Sequence, residues 1–175
     1  EKDMRKNRST LNNIILTSTN AAAALIQVIP EVKDIGFMAD SIRVPTNTES
    51  LIVLNCTFQT RAGADGKKEP VTTRMLNEIY QKAADNDPEN LVIFSTEQNV
   101  STDLIGTDAA IVIEGQFNHT RTAFIDVDVA GIPNVPEELL KAAPKGNIRV
   151  PVVHAKIFGW YDNEYGSYTN RMGDL

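Results

Sequence analysis

Three strand patterns, at residues 91–94, 109–114 and 121–129, follow one another with no helical pattern between them, and a longer one runs over 148–160. Parallel neighbours need a crossover, usually a helix, so this succession implies antiparallel or mixed pairing and an α+β fold. An earlier stretch points the same way. Ile52, Leu54, Cys56 and Phe58 alternate with Val53, Asn55, Thr57 and Gln59, the period-two signature of a strand buried on one face. Residues 133–143 read as a short helix with Pro136 in its first turn, where a missing N–H costs little.

Two further helices are expected. Residues 11–16 are apolar and strand-like, and Thr17, Ser18 and Thr19 then offer hydroxyl caps to a helix whose stripe is Ala22, Leu25, Ile26 and Ile29, ending near Pro30. That stripe should pack on a sheet. After a loop containing Gly63, Asp65, Gly66, Lys67 and Lys68, Thr72 or Thr73 opens a second helix with the stripe Leu76, Ile79, Tyr80 and Ala83, closed by residues 85–90. No internal repeat, low-complexity tract or long linker divides the chain, so a single domain over residues 1–175 is expected.

With 42% hydrophobic and 23% charged residues in 175, the chain can bury one substantial core. Its formal charge of −6 argues against a general nucleic-acid surface, which needs a basic face. No stretch reaches the roughly 20 apolar residues that span a bilayer. One cysteine, Cys56, forms no internal disulfide, which suits a reducing compartment. A soluble, cytoplasmic protein is expected. The opening at Glu1, inside a charged run, is expected of a segment of a longer protein.

Several chemistries lack their residues. There is no G-x-G-x-x-G dinucleotide fingerprint, no P-loop, and no Cys and His cluster with zinc spacing. Cys56, among inward-facing apolar positions, reads as core filler rather than nucleophile. Asp126 and Asp128 share one strand face but lack a third ligand, and read as a solvated face. His119 and His154 read as structural or exposed. The positive signal is an anion site: Arg5, Lys6 and Arg8 precede a helix start at Ser18, Thr19 and Asn20, where free N–H groups and the helix dipole favour a phosphate. A solvated charged run is the plainer alternative.

Residues 160–166 read Trp160, Tyr161, Asp162, Asn163, Glu164, Tyr165 and Gly166, directly after the long strand pattern. A side-chain amide both donates and accepts, so Asn163 can pair with a carboxamide and select which face of a ring is presented. Asp and Asn also favour plain turns. The string resembles the near-C-terminal signature of glyceraldehyde-3-phosphate dehydrogenases, in which the counterpart of Asn163 orients the nicotinamide ring, and Trp160 and Tyr161 would shape that pocket.

Residues 13–30 are similar to the segment in which that family opens a helix with Ser-Thr-Gly-Ala-Ala and holds phosphate. Thr19 maps onto the phosphate-binding threonine, Asn20 stands in place of the glycine, and Lys6 falls where an arginine usually contacts the same phosphate. Arg43, within Arg43-Val44-Pro45-Thr46, matches the arginine that contacts the substrate's other phosphate. Residues 100–103 resemble the family's Val-Ser-Ser-Asp. Residues 121–152 look longer than in common members, and a one-residue insertion follows Gly166.

The resemblance implies a mostly antiparallel or mixed sheet with helices packed on one face, and a phosphorylating aldehyde dehydrogenase of glycolysis. There a cysteine thiolate attacks the aldehyde, a histidine assists proton transfer, NAD takes the hydride, and inorganic phosphate releases the acyl group. The catalytic Cys and His, and the Rossmann-type domain that binds most of NAD or NADP, would lie outside this chain. No catalytic residue and no metal site would therefore be found within it. The implied partners are a phosphorylated aldehyde, inorganic phosphate and further copies of the chain, a tetramer in the full-length protein. Alone, the chain would be inactive. Two alternatives are an erythrose-4-phosphate dehydrogenase and a free-standing, non-catalytic phosphate-binding or assembly domain.

Overall fold

The computed structural model describes residues 3–62, 68–142 and 146–174. The chain forms two compact units, residues 1–47 and 48–175.

In the first unit a 3-10 turn, Met4–Asn7, is opened by Asp3, which accepts the Arg5 N–H and pairs with its guanidinium. Strand β1 (Ile15–Thr17) leads into helix α1 (Ala21–Val28), then a short helix α2 (Val32–Ile35) closed by Gly36 at φ 71°, where only glycine is unhindered. Strand β2 (Ser41–Arg43) returns antiparallel to β1, setting Arg43 opposite Ile15 and Ser41 opposite Thr17. The helix stops two residues short of Pro30, because the residue before a proline is driven out of the α region. Its apolar stripe is less covered than its composition suggests. Ala22, Leu25 and Ile26 are half-buried, Ile29 is exposed, and no residue of α1 is buried.

The second unit contains β3 (Glu49–Gln59), β4 (Arg61–Ala62), β5 (Lys68–Glu69), α3 (Thr73–Asp85), β6 (Val92–Ser95), β7 (Ile111–Glu114), β8 (His119–Asp128), α4 (Glu137–Ala142), β9 (Asn147–Asp162) and α5 (Ser167–Gly173). Most of the loop expected at residues 63–68 lies outside the described residues; Lys68 opens β5, which pairs with β4. The helix expected at 133–143 begins at Glu137, and the Pro136 carbonyl accepts N–H groups of Leu139 and Leu140.

β9, 16 residues long, organises the sheet. On one edge it pairs antiparallel with β3, from Glu49 opposite Asp162 to Gln59 opposite Val152. The other edge is shared: β8 takes residues 147–156 and β7 takes Gly159 and Trp160, both antiparallel, while β6 lies parallel to β7. The sheet is mixed, as the sequence implies. Where β8 gives way to β7, a side chain fills the ladder. The buried Asn118 Oδ1 accepts the Phe158 N–H at 3.0 Å, and its Nδ2 donates to Asn77 Oδ1 on α3 at 3.0 Å.

α3 is capped by Thr72, whose Oγ1 accepts the Met75 N–H at 3.2 Å, and it sets Leu76 against Ile113, Ala155 and Ile157. Leu54, Cys56, Tyr80, Val92 and Phe94 pack around that core. The helix is rotated from the expected stripe: Thr73, Leu76, Asn77 and Tyr80 face inward, while Ile79 is 62% exposed. The cause is polar. Asn77 donates to the Gly115 carbonyl at 2.8 Å and Thr73 Oγ1 accepts the Thr120 N–H at 3.0 Å, turning that side of the helix onto the sheet.

Candidate cofactor and phosphate contacts

Asn163 is the first residue beyond β9, and its backbone is held by its neighbour. Asp162, 1% exposed, accepts the Gly106 N–H at 2.7 Å on Oδ2 and the Glu164 and Tyr165 N–H groups at 2.7 and 2.8 Å on Oδ1. Burial works against its charge, but N–H groups of Gly106, Glu164, Tyr165 and Gly166 outweigh it and hold the carboxyl below the usual carboxylate range. The Asp162 carbonyl also accepts the Ser167 hydroxyl at 2.6 Å, tying the turn to the start of α5. Gly166 has no room for a side chain, since a Cβ there would lie 2.2 Å from the Thr107 carbonyl oxygen. The plain turn and the presented amide, alternatives in sequence, thus coexist: Asp162 makes the turn and Asn163 rides on it.

Asn163 is exposed, and its Oδ1 accepts the Ser50 hydroxyl at 3.2 Å, which leaves Nδ2 without a partner among the described residues and able to donate. Behind it, Trp160 Nε1 donates to Glu114 Oε2 at 3.2 Å, and Asn99 Nδ2 donates to the same oxygen at 2.9 Å. Those ties fix the strand end from which the turn projects.

Thr19, Asn20 and Arg43 all belong to the first unit. Thr19 Oγ1 accepts the Ala21 N–H at 3.1 Å, and its own O–H remains available to donate. Asn20 is the N-cap of α1 without a side-chain cap bond, and its carbonyl accepts the Ala24 N–H. Arg43 is exposed at the Ile15 end of the β1–β2 ribbon, whereas Thr19 and Asn20 follow its Ser41 end. The Lys6 side chain lies outside the described residues. Arg5, part of the same basic run, is tied to Asp3 by Nε–Oδ1 at 2.9 Å.

Cys56 packs against the core cluster, and burial pushes its thiol up, away from a reactive thiolate. Asp126 pairs with Arg149 at 3.8 Å and Asp128 accepts the Ala130 N–H at 3.0 Å. His119 Nδ1 bonds the Phe117 carbonyl and His154 Nδ1 the Thr57 hydroxyl. Among the described residues no group of three or more His, Cys, Asp or Glu could hold a metal ion.

The model of the glyceraldehyde 3-phosphate dehydrogenase C-terminal domain matches residues 1–129. The chain belongs to this family. Glyceraldehyde-3-phosphate dehydrogenase 2 of Streptomyces arenae is 30% identical over 174 residues, 99% of this chain and 40% of its own. Glyceraldehyde-3-phosphate dehydrogenase 1 of Bacillus cereus is 29% identical over 174 residues, with the same coverage. The testis-specific enzyme of Mus musculus is 28% identical over 175 residues, all of this chain and 31% of its own. The chain thus spans about 40% or less of these relatives' lengths.

Three features of this domain are not legible in the sequence: the Asp162 anchor, the Ser50 bond to Asn163, and the Asn118 bridge. Only the first had a local signal, the Asp-Asn-Glu order that favours a turn.

Proposed function

We propose that the chain supplies substrate-phosphate contacts and one nicotinamide contact to a phosphorylating glyceraldehyde-3-phosphate dehydrogenase. The observation that carries this reading is Asn163: in a chain of this family, its amide stands exposed on a turn fixed by Asp162, with Nδ2 available to donate. A ring carboxamide fits that group, since its oxygen can accept from Nδ2. When bound, NAD or NADP accepts the hydride of the aldehyde.

The chain's own residues bind and orient. The Thr19 hydroxyl donates to a phosphate oxygen, and the opening N–H groups of α1 beside Asn20 add partial positive charge. Lys6 contributes a point charge to the same phosphate, and Arg43 a planar guanidinium suited to bidentate contact with the other. The nucleophilic cysteine, its histidine and the domain that binds the rest of the dinucleotide lie in parts of the parent protein that this chain does not span. Copies of the chain associate, a reading supported by Leu51 and Val53, exposed on the face of β3 opposite Leu54 and Cys56.

The test compares the purified 175-residue chain with the full-length protein, supplying NAD, phosphate and either glyceraldehyde 3-phosphate or erythrose 4-phosphate. The expected result is cofactor reduction by the full-length protein alone, with glyceraldehyde 3-phosphate the better substrate. Turnover by the isolated chain, or a preference for erythrose 4-phosphate, overturns it.

A further inference from the structure

We infer that Ser50 is a positioning residue: its hydroxyl holds the plane of the Asn163 amide so that Nδ2 is presented to the ring carboxamide. This rests on the reading of Asn163 above and deepens it.

The ladder sets up the contact. β3 and β9 pair to their shared end, with Ser50 opposite Tyr161 and Glu49 opposite Asp162, which leaves Asn163 one step beyond the last rung. Ser50 therefore reaches it from the neighbouring strand, although 113 residues separate the two in sequence. The backbone of the turn is fixed through Asp162, but that does not settle the side chain. The final torsion of an asparagine is broad, and an exposed amide would sample several orientations. The Ser50 hydroxyl donating to Oδ1 at 3.2 Å is the side chain's tie among the described residues, and it leaves Nδ2 for the ring carboxamide.

An amide held before the cofactor arrives loses less freedom on binding, and it presents its donor in one direction. Without the hydroxyl, the amide would have to be ordered by the cofactor itself. The cost would fall on cofactor binding and on alignment of the ring, while the fold, whose core lies elsewhere around Leu76, would be untouched.

The experiment uses the full-length protein with saturating aldehyde and phosphate. Ser50→Ala, Ser50→Thr and Asn163→Ala are compared for KM of NAD, kcat and melting temperature. Ser50→Ala is expected to raise the KM for NAD by roughly three- to tenfold with an unshifted melting temperature, and Ser50→Thr to restore the KM. Wild-type KM and kcat in Ser50→Ala, beside an impaired Asn163→Ala, overturn the positioning role while leaving the function reading intact. A lowered melting temperature that Ser50→Thr does not repair assigns Ser50 a structural role instead, and overturns it too. Unimpaired Asn163→Ala removes the contact to be positioned, and with it both readings.

Discussion

Glu49 lies directly opposite Asp162 at the last rung of the β3–β9 ladder, so two carboxylates share one face at the end of the sheet. Their surroundings differ. The Asp162 carboxylate is held by backbone N–H donors, whereas both buried oxygens of Glu49 have no partner among the described residues. Burial, and then the Asp162 charge, push the Glu49 carboxyl up. Of the segments packed here, the 3-10 turn Ser101–Leu104 brings one more carboxylate, the exposed Asp103, which is bound to the Val100 N–H.

A raised acid contributes stability that is fully present below its unfolded value, about pH 4.3, and lost as pH rises through its folded value. Glu49→Gln removes that loss. The variant should melt on the order of 2 °C higher than wild type at pH 8, with the difference vanishing near pH 4. Thermal melts across that range check it; equal melting at pH 8 would count against a charged Glu49 beside Asp162.

Asp162 has the opposite sign. Its lowered carboxyl contributes stability above an unfolded value of about 3.9, which is lost as pH falls through the folded value. Asp162→Asn removes the charge and turns one acceptor into a donor facing N–H groups. The variant should lose roughly 2–3 kcal/mol at pH 7 and show a shallower acid limb than wild type. Urea unfolding at pH 7 and pH 3 separates the two effects.

Asn118 stands in for a ladder bond. Asn118→Ala leaves the Phe158 N–H and Asn77 Oδ1 without their partner, and should cost about 1–3 kcal/mol. Hydrogen exchange at Phe158 is the sharper readout: its amide should become one of the faster-exchanging in β9, while Ile157 stays protected in its pairing with β3.

The fold was legible where the signal is local. The alternation around Cys56 marks β3, the run at 148–160 falls within β9, and Thr72 caps α3 as a hydroxyl before an apolar stripe should. Periodicity puts Ile79 on the inner stripe because it sees only apolar residues, whereas the side chain is exposed. The helix is turned by Thr73 and Asn77, whose partners Thr120 and Gly115 lie 47 and 38 residues away. α5 carries too little apolar patterning in its seven residues to announce a helix. The site divides in the same way: Asn163 is visible in its string, but Ser50, Glu49 and Gly106 meet it or its neighbour only through strand register and loop closure.

If Asn163 orients a nicotinamide ring, its loss leaves a stereochemical trace. The decisive measurement follows hydride delivery in the full-length protein and its Asn163→Ala variant, using aldehyde substrate deuterated at the transferred position. NMR then reads how the label is divided between the two faces of the reduced ring. Label is expected on one face in wild type, and in the variant a transfer rate lower by about tenfold or more, with label on both faces. Unchanged rate and undivided label in Asn163→Ala would show that Asn163 does not orient the ring.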